Sequence, residues 1–218
     1  NARYPDLKRN VSGYNLDKLI KEAIDADGAL QDGASINPAR LLAGSEGTLA
    51  IVTAATVSLE PVPPTKSVAL LTYGDMLDAV SDVEHVLDHD PAAVELIDGT
   101  LIDLAADTAE FGPVVDRLPE GTDSALLVEF YADDDAHGRE QVHDLLADRL
   151  PGDDGEGDSA TAPAEAAGEG TALDALEAHE DAARAELWKL RKSGLPILLS
   201  RTSDAKHISF IEDAAVPP

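Results

Sequence analysis

The sequence predicts an α+β fold in which helices cover an antiparallel sheet, and three observations lead there. Beyond residue 64, short β-branched runs alternate with stretches of helical periodicity. Each helical stretch is long enough to cover a sheet face, as layered α+β domains require. A proline cluster, Glu60-Pro61-Val62-Pro63-Pro64, sets this region apart from what precedes it. That cluster is the expected domain boundary, which divides the chain into residues 1–62 and 63–218.

In chain order, Leu16, Leu19, Ile20, Ala23 and Ile24 recur at helical spacing and predict a short amphipathic helix over 15–27. A loop rich in Gly, Asn and Pro follows. Residues 48–59 (TLAIVTAATVSL) are apolar and β-branched without a breaker, which predicts a buried strand that the prolines terminate. Strands are then expected over 68–72, 92–97 and 124–131. Helices are expected over 74–87, with Met76, Leu77, Val80, Val83 and Leu87 on one side, over 100–106, and over 136–150 with Val142, Leu145, Leu146 and Leu150. Residues 151–172 hold no large apolar side chain, too little to offset the entropy of ordering, and read as a flexible acidic linker. After it, 173–192 reads as one helix and 195–200 and 207–211 as two strands. No internal repeat is present.

With 218 residues, 44% of them apolar, the chain is long enough to bury a real core. Its 43 acidic against 16 basic side chains leave a formal charge of −27, which argues against sequence-independent binding to nucleic acid or anionic lipid. The acids are dispersed, as in a solvated shell, and self-repulsion among them is relieved by salt, so the expected setting is a salt-rich cytoplasm. A partner-binding acidic surface is the alternative. Without cysteine the chain has no disulfide, thiolate metal site or cysteine nucleophile, and any iron–sulfur cluster must lie outside it. No apolar run approaches the roughly 18 residues of a membrane helix, which predicts a soluble protein, with peripheral membrane placement left open. The start is no signal peptide, and both ends read as cut from something longer.

Two loops suggest chemistry. Gly44-Ser45-Glu46-Gly47-Thr48-Leu49 has glycines that let the backbone approach a ligand closely. Together with Arg9-Asn10-Val11-Ser12-Gly13-Tyr14-Asn15-Leu16-Asp17, the run from Leu41 to Thr53, Pro61 and Pro63, it resembles the FAD-linked oxidase family of D-lactate, glycolate and D-2-hydroxyglutarate dehydrogenases. The stretch from Leu187 to Gly194 and that from Phe210 to Pro217 look like the cap of the same family, nearest the branch often fused to an iron–sulfur module. The resemblance covers the chain except 151–172. Ala50, where the family usually has Gly, and Ala54, where it often has Glu, depart from the pattern.

The resemblance implies that residues 1–62 end a PCMH-type FAD-binding domain and that 63–218 form most of a ferredoxin-like, substrate-capping domain. It implies FAD as cofactor, with Ser12, Gly13, Tyr14, Gly44, Ser45, Gly47, Thr48, Leu49 and Ile51 on the cofactor surface. It implies a small D-2-hydroxy acid as substrate, an unspecified electron acceptor, and Arg191 as the grip on the substrate carboxylate. A guanidinium suits that task because it pairs bidentately and stays charged. Lys206 and Arg201 are weaker second anchors. A pyrophosphate loop is expected before Asn1, and the active-site histidines and the catalytic base beyond Pro218, so the chain alone is expected to be inactive. A non-catalytic acidic binding module that keeps the cap fold is the rival reading.

Glu212 and Asp213, adjacent on an expected strand, point to opposite faces and read as orienting groups. The six histidines read as surface residues. His85 and His89 sit four apart on one helix, but no third ligand is near in sequence, so no metal site is expected.

Overall fold

The computed structural model describes residues 13–21, 23–25, 28–33, 36–151 and 172–199. Among the described residues, internal contacts divide the chain into two units, one up to Glu60 and one from Pro61 onward.

In the first unit, α1 (Leu16–Lys21) is shorter than the periodicity predicts. Asp25 holds a turn where the helix is expected to continue: its backbone carbonyl accepts from Gly28 N at 3.0 Å and its Oδ1 accepts from Ala29 N at 2.9 Å, with Gly28 at φ +81°. The chain folds back there, with Ile24 bridging Leu30 and Ala23 buried. One turn of helix, α2 (Ala39–Leu42), follows Pro38. The buried strand expected over 48–59 is absent. This stretch has no ladder partner among the described residues, and Ile51 stands 91% exposed. β-branched composition favours a strand only where a neighbour takes up the backbone N–H and C=O groups.

The second unit is the α+β layer pair. Strand β1 (Thr65–Tyr73) leads to α3 (Met76–Leu87), β2 (Ala93–Ile97), the short helices α4 (Gly99–Ala106) and α5 (Gly112–Val115), then β3 (Ser124–Ala132), α6 (Asp135–Arg149), β4 (Asp174–Ala178), α7 (Asp181–Lys192) and α8 (Gly194–Leu199). The strand order is β2-β3-β1-β4, all neighbours antiparallel. This βαββαβ arrangement is ferredoxin-like, with α4 and α5 inserted between β2 and β3. Carboxylates cap the helices where the sequence places them: Asp75, Asp98 and Asp134 accept from Leu77, Leu101 and His137 N.

Period-2 alternation gives the sheet two apolar faces. Ala69, Leu71, Leu126, Val128 and Phe130 pack under α3 and α6, whereas Val68, Leu70, Ile97, Ala125 and Leu127 pack under α4, α5, α7 and α8. Where α6 crosses β1, Gly138 allows close approach, since a Cβ there would fall 2.5 Å from Ser67 Oγ.

Three expectations fail here. The helix expected over 173–192 is broken, because Asp174–Ala178 pairs with the free side of β1 and the helix starts only at Asp181. A sheet edge outweighs the helix propensity of Ala, Leu and Glu. The strand expected over 195–200 is α8, in which Pro196 sits in the first turn, where no backbone N–H is needed. In α3, the face turned to the sheet is Ala79, Asp82 and Val86, with Val83 beside it, while Met76, Leu77, Val80 and Leu87 are exposed.

Asp82 sets that rotation. It is fully buried, accepts from Tyr73 Oη at 2.7 Å and from Arg149 Nε at 3.3 Å, and pairs with a second Arg149 nitrogen. Two donors beneath the helix require an acceptor, and an inward carboxylate satisfies both. Burial and then the Asp82 carboxylate push the Tyr73 phenol far above its usual pKa. Nearby, His89 hydrogen-bonds Asp148 at 3.1 Å and, together with Arg149, holds that carboxyl below its usual pKa.

The expected linker over 151–172 lies, apart from its two ends, outside the described residues, as do the strand expected over 207–211 and the pair Glu212 and Asp213. Among the described histidines His179 departs from expectation. It is mostly buried after β4, with Nδ1 3.1 Å from Ser67 Oγ and Nε2 3.0 Å from Glu177. Among the described residues no group of three or more His, Asp or Glu is placed to hold a metal, and no helix is long and apolar enough to cross a membrane.

Candidate functional site

The structure brings the two glycine loops of the first unit together. Tyr14 Oη lies 2.8 Å from Thr48 Oγ1. Because Thr48 Oγ1 donates to the Ser45 carbonyl at 2.6 Å, the Tyr14 hydroxyl is the donor in this chain of bonds. Asn15 Nδ2 donates to the Ala43 carbonyl at 2.8 Å, tying the start of α1 to the end of α2. Gly44, at φ +83°, sits where a Cβ would meet the Gly13 carbonyl at 3.1 Å, so a side chain there is strained by conformation and crowded by the neighbouring backbone. Gly47 and Glu46 also adopt positive φ, at 74° and 50°, and bend the loop sharply around the buried Ser45.

Two features of this loop pair suit a bound group. Asn15 is buried, yet its Oδ1 has no hydrogen-bond partner among the described residues, an uncommon state for a buried acceptor. Tyr14, Thr48, Leu49 and Ile51 remain exposed on the same loops and on the extended stretch that follows. Ser12 lies outside the described residues.

In the second unit, Arg191 lies in the last turn of α7, where Lys189 and Lys192 also complement the helix dipole. It makes a 2.9 Å ion pair with Glu95 of β2, each side chain being about two-fifths exposed. The pair uses a terminal nitrogen, and the buried Nε has no partner among the described residues. The guanidinium therefore retains unused donors beside a carboxylate that already fixes its position. Arg201 and Lys206 lie outside the described residues.

Asn15 and Glu95 are absent from the residues read from sequence. Asn15 follows directly on the Ser-Gly-Tyr motif and reads there only as a polar helix start. Glu95 had a signal, since alternation places it between Ala93 and Ile97 on a core-facing side of β2, where a charge needs a partner.

Comparison with known proteins decides the family. The domain described as FAD linked oxidases, C-terminal domain, matches residues 62–218. The chain belongs to the FAD-linked oxidase family. Two relatives named D-2-hydroxyglutarate dehydrogenase, from Pantoea ananatis (strain AJ13355) and Escherichia coli (strain K12), are 27% and 26% identical over 221 and 219 residues. Those alignments cover 99% of this chain and 20% and 19% of the relatives. The glycolate oxidase subunit GlcD of Bacillus subtilis (strain 168) is 36% identical over 101 residues, 45% of this chain and 20% of its own length. This FAD-linked oxidase chain thus spans about a fifth of the length of the curated relatives it matches. The family implies FAD as the cofactor of the full-length protein, and the close backbone approach at Gly44 beside an unused buried amide oxygen is compatible with a bound group.

Proposed function

We propose that the full-length protein is an FAD-dependent oxidoreductase that oxidises a small D-2-hydroxy acid and passes the electrons to an external acceptor. The observation that carries this reading is the convergence of the Ser-Gly-Tyr and Gly-Ser-Glu-Gly-Thr loops, with Gly44 against Gly13 and the Asn15 Oδ1 unpaired. The relatives' names, D-2-hydroxyglutarate dehydrogenase and glycolate oxidase subunit, support a 2-hydroxy acid as the substrate class. We assign the residues before the prolines to the flavin-binding part and those after them to the substrate cap. The separation of contacts between Glu60 and Pro61 supports this division.

In this reading Ser12, Gly13, Tyr14, Gly44, Ser45, Gly47, Thr48, Leu49 and Ile51 form a cofactor surface built largely from main chain, and Asn15 joins them. Bound FAD supplies the hydride acceptor. The chain's own contribution is positioning. Arg191, oriented by Glu95, holds the substrate carboxylate through its unused nitrogens and so fixes the α-carbon. Arg201 and Lys206 are the further candidates for anchoring the substrate. A panel of 2-hydroxy acids assayed on the full-length protein with a dye acceptor tests the substrate class, and turnover with none of them contradicts it.

The charge of −27 supports a salt-rich cytoplasm as the working environment. Screening acts within about 3 Å at 1 M salt, so the melting temperature is expected to climb steeply as KCl rises from millimolar to molar. A flat melting temperature over that range contradicts the salt adaptation and favours an acidic partner surface.

A further inference from the structure

An open cleft of about 500 Å³ in the second unit is lined by Lys66 of β1, Glu129 of β3, and Asp181, Arg184, Trp188 and Lys192 of α7. Its volume lies within the range of small-molecule sites. Three cations against two acids give it a net positive charge in a chain of −27, so it is a local exception to the field around it.

The internal pairings leave one cation to spare. Glu129, only 6% exposed, has a donor on each oxygen: Lys66 Nζ at 3.0 Å and Trp188 Nε1 at 2.7 Å. Burial opposes the charge of Lys66, but the Glu129 hydrogen bond and carboxylate prevail and keep its pKa above the usual lysine value. Arg184 is engaged by Asp181 and by the His179 carbonyl. Lys192 stands 5.3 Å from the centroid of the Trp188 ring and has no acid partner among the described residues. The hydrogen bond to Glu129 fixes the Trp188 indole, which presents an apolar wall next to that ammonium.

We propose that this cleft binds a small organic monocarboxylate, its carboxylate paired with Lys192 and its carbon skeleton against the indole of Trp188. A cationic ligand meets a net positive site, and a neutral one leaves the Lys192 ammonium without a counter-charge. The site is separate from Arg191, which is paired with Glu95 on β2, and it does not depend on the flavin reading.

Trp188 is the only tryptophan in the chain, so intrinsic fluorescence reports directly on the cleft. Propionate, titrated into the 218-residue chain at ionic strength held constant with KCl, is expected to give a saturable change with a Kd of the order of millimolar. Propionamide, neutral and of similar shape, is expected to give none. Lys192→Gln should weaken propionate at least about tenfold, corresponding to the loss of one charged contact. Lys192→Arg should largely retain it. Lys192 is exposed at the end of a helix, so these variants fold. No saturable change with propionate, an equal response to propionamide, or wild-type binding by Lys192→Gln overturns the proposal.

Discussion

Arg191→Lys in the full-length protein is expected to lower kcat/KM for its 2-hydroxy acid by about 10²-fold, roughly 3 kcal/mol of transition-state stabilisation. Lysine keeps the charge but has no planar fork, so it cannot both stay on Glu95 and present parallel donors to a second carboxylate. Flavin content and melting temperature should barely change. An ion pair as exposed as Arg191 with Glu95 contributes at most about 1 kcal/mol, and the side chain has no place in the core. Steady-state kinetics decide the matter. Wild-type turnover in a flavin-loaded Lys variant contradicts the assignment and makes Arg201 or Lys206 the next candidate.

The largest effect on stability is expected at Asp82. Asp82→Ala leaves the Arg149 guanidinium, itself largely buried, and the Tyr73 hydroxyl without their shared acceptor. Removing one partner of a buried ion pair costs about 3–5 kcal/mol, a large share of the roughly 5–15 kcal/mol that holds a domain together. Asp82→Asn, which keeps an acceptor and the volume, should fall between Ala and wild type. Tyr73→Phe removes one neutral donor and should cost about 1 kcal/mol. Urea unfolding followed by circular dichroism measures all three. A loss below about 1 kcal/mol for Asp82→Ala contradicts the view that this carboxylate organises the layer under α3 and α6.

The same residue shows where sequence reasoning stops. Helical periodicity locates α3, but it selects Met76, Leu77, Val80 and Leu87 as the inner face, because an apolar count cannot anticipate an aspartate buried against Tyr73 and an arginine 67 residues away. Elements with local punctuation are legible to within one or two residues: β2, α4, β3 and α6 are bounded by turn residues and capped by Asp98 and Asp134. Elements defined by a distant neighbour are not. Asp174–Ala178 becomes a strand only because β1 offers an edge, and residues 48–59, rich in β-branched residues, have no such edge among the described residues. The candidate site divides in the same way. The glycine loops are recognised by motif, and Arg191 by its place after Trp188. Asn15 as the unpaired acceptor and Glu95 as the partner of Arg191 emerge only when the loops and strands are brought together.

The proposed activity is oxidation of a 2-hydroxy acid by a flavin enzyme of which this chain forms part. Its most direct test is anaerobic mixing of the purified full-length protein with D-2-hydroxyglutarate or glycolate while absorbance near 450 nm is followed. A flavin band present at the start and bleached by one of these acids, with an Arg191→Lys variant bleaching about 10²-fold more slowly, is the predicted result. A colourless full-length protein, or a flavin band that neither these nor other D-2-hydroxy acids bleach, contradicts it.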